Sequence, residues 1–348
     1  MRLTANEVFP KGNRRFKSSR LRSSSGRVVK PILKGSLVRV GITGGAGFIG
    51  SNLAQHLVES GYSVSILDNL ETGFLSNLEG VNANVVRADL KNLDEVDSFF
   101  QKEEIGYCVH LGALGSVPRS IATPRASFEA NAIATLNVLE SVKKRSTPII
   151  FSSSSSVYGK NPKLPKIEKD WLSPISPYAA SKLASEAMTL AFRESYGIST
   201  LVYRLFNVYG PKQNPDSLYA AVIPKWIFAA FKGEPLIVYG DGEQKRDFTF
   251  IDDVVQILSS SIREKHDADY PINLAFGNPV TLNEILRVFK TYFGKTKVEY
   301  REVRKGDIRN SESNPKTLTD LHRNLIKRTP LEVGLVSTFD WFKKQHSF

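Results

Sequence analysis

The sequence predicts an α/β fold, in which helices cover both faces of a doubly wound parallel sheet and a smaller domain follows. Short β-branched runs alternate with helical stretches through the first 206 residues, a pattern typical of parallel sheets. The first run leads directly into a glycine-rich turn that opens a helix, as at the ligand-binding edge of such sheets. The length of 348 residues suits roughly two domains.

Seven apolar runs predict the strands of this sheet. They are Leu37–Ile42, Ser63–Leu67, Ala83–Val86, Tyr107–Leu111, Pro148–Phe151, Thr200–Tyr203 and, much later, Pro271–Ala275. Helical patterns between them cover residues 47–60, 92–102, 126–144 and 178–196. We therefore place the sheet domain at 37–206, with a segment near 253–276 returning to it. Proline and glycine interrupt the pattern after Asn207, so we place the second domain mainly at 207–348.

Composition excludes several other classes of protein. With 41% hydrophobic and 24% charged residues, the chain has an ordinary globular composition. No apolar run reaches the roughly 20 residues needed to cross a bilayer, and we expect no metal site. The single cysteine, Cys108, cannot form an internal disulfide and fits a reducing compartment, which favours a cytoplasmic location.

The basic charge is concentrated in residues 1–36. This segment contains ten Lys or Arg and one acid, Glu7, so it carries +9 of the net charge of +12. Because the charge is confined to one end, we expect neither nucleic acid nor a membrane surface as a partner. The Arg- and Ser-rich composition fits a disordered tail, an organelle transit peptide or a start codon assigned too early.

The glycine-rich turn after the first strand predicts a dinucleotide site. Its glycines, Gly44, Gly47 and Gly50, allow a tight turn and let backbone N–H groups approach a pyrophosphate at the helix N-terminus. Asp68 ends the second strand, where a carboxylate binds both ribose hydroxyls of NAD and would repel the phosphate of NADP. The sequence therefore predicts NAD, although Asp68 could instead cap a turn. The neighbours Phe48, Ile49 and Asn69 are predicted cofactor contacts, as are Asp89 and Leu90 after the third strand.

Tyr178 and Lys182 lie one helical turn apart and share one face of a predicted helix. Free tyrosine has a pKa of about 10 and is a poor base at neutral pH. A nearby ammonium favours the phenolate, so the pair predicts a proton acceptor in a pocket. A chance pairing on a solvated helix face is the alternative.

Together with the serine run before Val157–Gly159, these motifs resemble the extended short-chain dehydrogenase/reductase family, and within it the nucleotide-sugar epimerases and dehydratases. The resemblance covers about residues 37–345 and implies a Rossmann-type sheet with bound NAD. It implies that Ser154, Tyr178 and Lys182 are catalytic and that Asn131 lies near the nicotinamide half of the cofactor. Tyr178 and Lys182 would also contact the cofactor.

The resemblance further implies a UDP-sugar substrate. It places Asn207, Arg246 and Arg304 on the diphosphate, which suits the bidentate guanidinium fork, and Asp307 on the uridine ribose. The substrate-binding residues that it implies are Gly115, Ser116, Ser154, Asn207, Arg246, Arg304, Asp307 and Ser311.

The serine run separates the reaction types of the family. The 4,6-dehydratases resemble Thr-Asp-Glu before Val-Tyr-Gly, and the UDP-glucuronate decarboxylases place a Glu just before the Val. This chain has Ser154–Ser156 there, without an acid, and so resembles the 4-epimerases. A net oxidoreductase of the same family, an inactive nucleotide-binding scaffold and a protein whose function depends on its basic tail are the alternatives.

The position of Ser311 bears on the sugar, because epimerases restricted to plain hexoses carry a bulky Tyr there. A small residue leaves room for an N-acetyl group, so we expect UDP-N-acetylglucosamine and UDP-N-acetylgalactosamine, with UDP-glucose and UDP-galactose as the alternative. The helices at 126–144 and 178–196 pair across a two-fold axis in the family, which implies a homodimer.

Overall fold

The computed structural model describes residues 38–214, 221–303, 308–323 and 327–346. The strands are β1 (Val40–Thr43), β2 (Val64–Asp68), β3 (Asn84–Arg87), β4 (Tyr107–His110), β5 (Ile149–Ser154), β6 (Thr200–Leu205), β7 (Val208–Tyr209), β8 (Leu236–Tyr239), β9 (Lys245–Arg246), β10 (Thr249–Phe250), β11 (Ile272–Leu274), β12 (Val280–Thr281) and β13 (Val298–Arg301). The predicted tail at 1–36 lies outside the described residues.

The α-helices are α1 (Phe48–Glu59), α2 (Leu93–Lys102), α3 (Val117–Ala122), α4 (Pro124–Phe128), α5 (Ala134–Arg145), α6 (Pro177–Tyr196), α7 (Val222–Lys232), α8 (Ile251–Glu264), α9 (Leu282–Phe293), α10 (Lys316–Leu321) and α11 (Leu331–His346). Two 3₁₀ turns, at Leu75–Leu78 and Ser155–Tyr158, and a π-helical turn at Glu129–Ile133 complete them. None of the helices in the described ranges is long and apolar enough to cross a membrane.

A seven-stranded parallel sheet forms the centre of the molecule, in the order β11-β6-β5-β4-β1-β2-β3. Strands β1, β2 and β4 are buried along their whole length, as expected when helices cover both faces. The strand order reverses between β1 and β4, which makes this the point where a ligand site is expected. The predicted fold class, a doubly wound Rossmann-type sheet, is confirmed.

Two predicted elements differ in extent from those observed. Strand β5 continues past Phe151 through three serines, because Ser152–Ser154 pair with Tyr203–Leu205 of β6 in the same ladder. The predicted helix at 126–144 is α4, the π-helical turn and α5 in succession. In both places, polar residues lie within regular secondary structure. The spacing of apolar residues alone does not reveal such segments.

Local signals fix both ends of α6, the helix that carries Tyr178 and Lys182. The Ser176 hydroxyl accepts a hydrogen bond from the Ala179 N–H at 3.1 Å, and Pro177 occupies the first helical position. The helix ends at Gly197, whose φ of 69° is left-handed. The first turns of α6 therefore have a defined start beside the end of β5.

Beyond Asn207 the chain forms short strand pairs, namely β7 with β10, β8 with β13 and β9 with β12. Strand β11 pairs in parallel with β6 and forms one edge of the central sheet. The division into domains at 37–206 and 207–348 stays a prediction.

Candidate active site

A cleft of about 1480 Å³ opens where the carboxyl ends of the sheet strands meet. Most of the site residues predicted from sequence line it. They are Gly44, Gly47, Phe48, Ile49, Gly50, Asp68, Asn69, Asp89, Leu90, Gly115, Ser116, Ser154, Tyr178, Lys182, Asn207, Arg246 and Ser311. Arg304 and Asp307 lie outside the described residues.

The glycine turn is packed so closely that it tolerates no side chain at two positions. Gly44 has a φ of 69°, which strains any other residue, and a Cβ there would lie 2.7 Å from Gly112. At Gly50, a Cβ would lie 2.3 Å from the Gly44 carbonyl oxygen. The turn therefore brings bare backbone to the N-terminus of α1, the geometry that a pyrophosphate requires.

The Asp68 carboxylate meets the requirement for an NAD ribose. One of its oxygens accepts a hydrogen bond from the Ala46 N–H at 2.9 Å and the other from the Leu70 N–H at 2.8 Å. A carboxylate has about four acceptor sites, so both oxygens can still accept bonds from two ribose hydroxyls. These contacts hold the carboxylate at the cleft wall, and the residues present fit NAD.

The structure places Asn131 behind the cleft rather than on its surface. Asn131 is buried in the π-helical turn, where its side-chain oxygen accepts from the Leu114 N–H at 2.8 Å. Its amide nitrogen donates to the Ser181 hydroxyl at 2.8 Å. Asn131 thus joins the loop after β4 to α6, and its contact with the cofactor stays a prediction.

Burial dominates the titration of the Tyr178 and Lys182 side chains. It raises the pKa of Tyr178, while a hydrogen bond with Ser154 lowers it. Burial lowers the pKa of Lys182 to about 7, and the Glu186 carboxylate one turn further along α6 partly offsets this effect. From the sequence, Lys182 is expected to lower the pKa of Tyr178. In the structure burial raises this pKa instead, because poor solvation disfavours the charged form of each side chain.

Ser154 is the last residue of β5 and caps the 3₁₀ turn that follows. Its hydroxyl oxygen lies 3.2 Å from the Ser156 N–H nitrogen and 2.9 Å from the Ser156 hydroxyl oxygen. The Ser154 hydroxyl also lowers the pKa of Tyr178, and both residues line the cleft. Ser154 and Tyr178, predicted from separate motifs, thus come together at one point on the cleft.

A buried ion pair lies behind these catalytic candidates. Arg204 donates to the two Glu186 carboxylate oxygens at 2.6 and 3.0 Å, and the two side chains are 3% and 4% exposed. Ser153 donates to the same carboxylate at 2.6 Å, and Arg204 also donates to the Tyr158 hydroxyl at 2.9 Å. The sequence analysis missed Glu186, although its spacing of four residues from Lys182 on α6 was the available signal.

The cleft wall also includes Asn207, Arg246 and Ser311, which are predicted to bind the substrate. Asn207, in a left-handed conformation with a φ of 34°, donates its side-chain amide to the Asp247 carbonyl at 3.2 Å. Arg246 donates to the Arg309 carbonyl at 2.8 Å, and the Ser311 N–H donates to the Lys245 carbonyl at 3.0 Å. These hydrogen bonds place the Asn207 amide, the Arg246 guanidinium and the small Ser311 hydroxyl along the same wall of the cleft.

Lys166 is a cleft residue that the sequence analysis missed. It is 6% exposed, its ammonium contacts the Asn161 carbonyl, and burial lowers its pKa. Its backbone N–H donates to the Glu312 carbonyl at 2.8 Å, which places it beside the segment of Ser311. Lys166 is one of four lysines in the proline-containing loop at 159–170, and no sequence pattern distinguishes it from the other three.

A dinucleotide turn, a ribose-binding carboxylate and a Ser-Tyr-Lys set at one sheet edge define a nicotinamide-dependent enzyme. The family model described as the NAD-dependent epimerase/dehydratase family matches residues 40–275. The chain belongs to this family, one of the extended short-chain dehydrogenases/reductases, and its cofactor is NAD.

Individual relatives agree with this assignment. A putative UDP-glucose 4-epimerase of Methanocaldococcus jannaschii is 34% identical over 77% of this chain and 87% of its own length. The solved UDP-N-acetylglucosamine 4-epimerase of Methanobrevibacter ruminantium is 36% identical, with a TM-score of 0.83 over 89% of this chain and all of its own. The UDP-glucose 4-epimerase of Thermotoga maritima is 33% identical, with the same TM-score and coverage.

Proposed function

We propose that the protein inverts C4 of a UDP-sugar, with UDP-N-acetylglucosamine and UDP-N-acetylgalactosamine as the preferred pair. The observation that carries this proposal is that Ser154 and Tyr178 line the same cleft, and that the adjacent Ser155 and Ser156 bring no acid to it. Elimination of water needs a further acid and base, whereas epimerisation needs one proton acceptor and one hydride acceptor. The set of side chains thus suits inversion better than dehydration or decarboxylation.

In the proposed reaction, Tyr178 acts as the phenolate and takes the proton of the sugar 4′-hydroxyl. Gly44–Gly50 and Asp68 would hold NAD, which would supply the hydride acceptor for C4′ and a positive charge at the site. The O–H and C4′–H bonds break, the C4′ carbonyl forms, and Tyr178 becomes a neutral phenol. After the 4-keto sugar turns over, both transfers reverse on its opposite face, so that no net oxidation occurs.

One assay tests this proposal directly. The protein is incubated with UDP-N-acetylglucosamine and UDP-glucose separately, without added cofactor, and the C4 epimers are sought by chromatography. We expect both epimers, with faster formation from the acetamido sugar. Turnover that requires a supply of external NADH, or steady NADH production, would instead identify the reductase alternative.

The variant Ser311→Tyr tests the choice of sugar. A phenol ring at this wall would occupy the space proposed for the N-acetyl group, and overpacking of this kind costs about 1–3 kcal/mol. We expect kcat/KM for UDP-N-acetylglucosamine to fall roughly tenfold or more, with a much smaller change for UDP-glucose. Ser311→Ala is the control for loss of the hydroxyl. An equal loss of kcat/KM for both sugars in Ser311→Tyr would mean that Ser311 does not determine the choice of sugar.

We also propose a homodimer formed through α6 and the segment before α5. Small residues at Ala180, Ala187 and Ala191 form an exposed stripe along α6, which allows a second helix to approach closely. The larger Phe128 and Ile133 are 46% and 40% exposed beside it. Matching small and large apolar side chains on one face suits self-association through two copies of that face.

The variant Ala187→Glu should separate the proposed dimer. A carboxylate buried between two copies lacks a partner, so we expect at least a roughly 100-fold weaker dimer. Size-exclusion chromatography with light scattering measures the mass across a dilution series. The control is Val333→Glu on α11, a site that is 57% exposed. A monomeric wild type, or a dimer unaffected by Ala187→Glu, would refute this interface.

A further inference from the structure

An ion pair joins the two segments that follow the strands on either side of β1. The Arg119 guanidinium on α3 donates to the Glu71 carboxylate at 3.4 Å, and both side chains line the cleft. Glu71 follows β2, and α3 follows β4. Because β1 lies between β2 and β4 in the sheet, the ion pair connects the two neighbours of the strand that leads into Gly44–Gly50.

The segment after β2 is held directly on the glycine turn. The Phe74 N–H donates to the Ala46 carbonyl at 3.0 Å, and the Asn77 side-chain amide donates to the same oxygen at 2.9 Å. The packing is close, since a Cβ on Gly73 would lie 2.8 Å from the Ala46 carbonyl carbon. The backbone that carries Glu71 therefore has a defined position beside the turn.

The segment after β4 is anchored as well. The Ser116 hydroxyl accepts a hydrogen bond from the Arg119 N–H at 3.2 Å, and the buried Ser120 donates to the Val117 carbonyl at 2.7 Å. The side chains of Arg119 and Glu71 are 29% and 46% exposed, so the ion pair lies at the surface of the cleft. Two flexible side chains thus connect two fixed pieces of backbone.

A dinucleotide bound at this sheet edge has to pass between the same two segments. Asp68 at the end of β2 fits its ribose, and the turn at Gly44–Gly50 after β1 fits its pyrophosphate. Tyr178 and Lys182, predicted to contact its other half, line the same cleft. The site of the pyrophosphate therefore lies in the interval that the Glu71–Arg119 ion pair spans.

We propose that the Glu71–Arg119 ion pair is a strap across the site of the NAD pyrophosphate and slows the release of NAD. The inference depends on NAD as the cofactor of the family and not on the proposed epimerisation. Because the strap consists of side chains on two anchored segments, it can open by rotation of these side chains, without unfolding of either segment. NAD can then enter and leave, but only while the ion pair is broken.

Charge reversal tests the strap against a direct attraction between Arg119 and the phosphates. Glu71→Arg and Arg119→Glu each replace the ion pair by two like charges, and the double variant restores the pair with reversed polarity. Each protein is loaded with radiolabelled NAD and diluted into excess unlabelled NAD, and the label retained on a filter is counted over time. Lys316→Glu, which breaks an exposed ion pair with Asp320 on α10, is the control.

We expect each single variant to release NAD about three- to tenfold faster than the wild type, because a partly exposed attraction becomes a repulsion. The double variant and Lys316→Glu should release NAD within about twofold of the wild-type rate. Slower release from Glu71→Arg with faster release from Arg119→Glu would assign the effect to attraction of the phosphates and overturn the strap.

Unchanged rates in both single variants, or a double variant as fast as either of them, would overturn the strap as well. The measurement of NAD release needs no turnover. A wild type that epimerises no UDP-sugar but shows the expected pattern of release rates would therefore refute the proposed function alone.

Discussion

Tyr178→Phe is expected to lower kcat about 10²- to 10⁴-fold, the range lost when a general base is removed. The phenol oxygen is the only part of the side chain that is lost, and the ring continues to fill its place on α6. The UDP-sugar contacts proposed for Asn207 and Arg246 do not involve the phenol oxygen of Tyr178, so affinity should stay within about twofold. Turnover is measured with each UDP-sugar, and binding by calorimetry on the same protein.

The matched control is Tyr196→Phe, the same substitution at the last residue of α6, where the side chain is 50% exposed. We expect this variant to turn over like the wild type. Near-normal kcat in Tyr178→Phe would remove Tyr178 from the mechanism, and with it the reason for assigning Ser154. A loss of binding equal to the loss of turnover would instead make Tyr178 a substrate-binding residue.

The parts of the site that sequence predicts well are those encoded within a few neighbouring residues. The turn at Gly44–Gly50 and the spacing of Tyr178 and Lys182 are local patterns whose geometry follows from one strand end or one helix. Strands β1, β2 and β4 are similarly visible because both of their faces are apolar and buried. Predicting these features requires no information about the segments that pack against them.

The parts that were missed depend on contacts between distant segments. His110, for example, is buried between Thr43 at 2.6 Å and Thr135 at 3.0 Å, and burial lowers its pKa to about 3. No spacing in the sequence joins these three residues. The extension of β5 through its serines has the same origin, since Ser153 is accommodated in the interior by Glu186 of α6.

The pKa of Tyr178 shows why a correct motif can still give an incorrect electrostatic expectation. The spacing alone predicts that the Lys182 ammonium stabilises the phenolate, but it does not show how far the two groups are buried from solvent. Burial of both groups disfavours both charges, raising one pKa and lowering the other. Within the protein, the Ser154 hydroxyl is the group that lowers the pKa of Tyr178 and so favours the phenolate.

The second large effect is expected in Glu186→Gln, through stability. This change leaves the Arg204 guanidinium buried without a counter-charge, and breaking such a pair typically costs about 3–5 kcal/mol. The free energy of unfolding is measured by urea denaturation. As a control, Lys144→Met breaks a partly exposed pair with Asp97 and should cost less than about 1 kcal/mol. A loss of unfolding free energy as small as this in Glu186→Gln would mean that the buried ion pair contributes little to stability.

The double variant Glu186→Gln/Arg204→Met separates the structural role of this pair from its effect on Lys182. Removing both charges leaves neither one uncompensated, so much of the lost stability should return. The carboxylate that raises the pKa of Lys182 is still absent, however, and this pKa should stay below that of the wild type. If stability recovers but kcat at pH 7 does not, the ion pair supports the reaction through Lys182. Recovery of both stability and kcat would mean that Glu186 and Arg204 contribute only to folding.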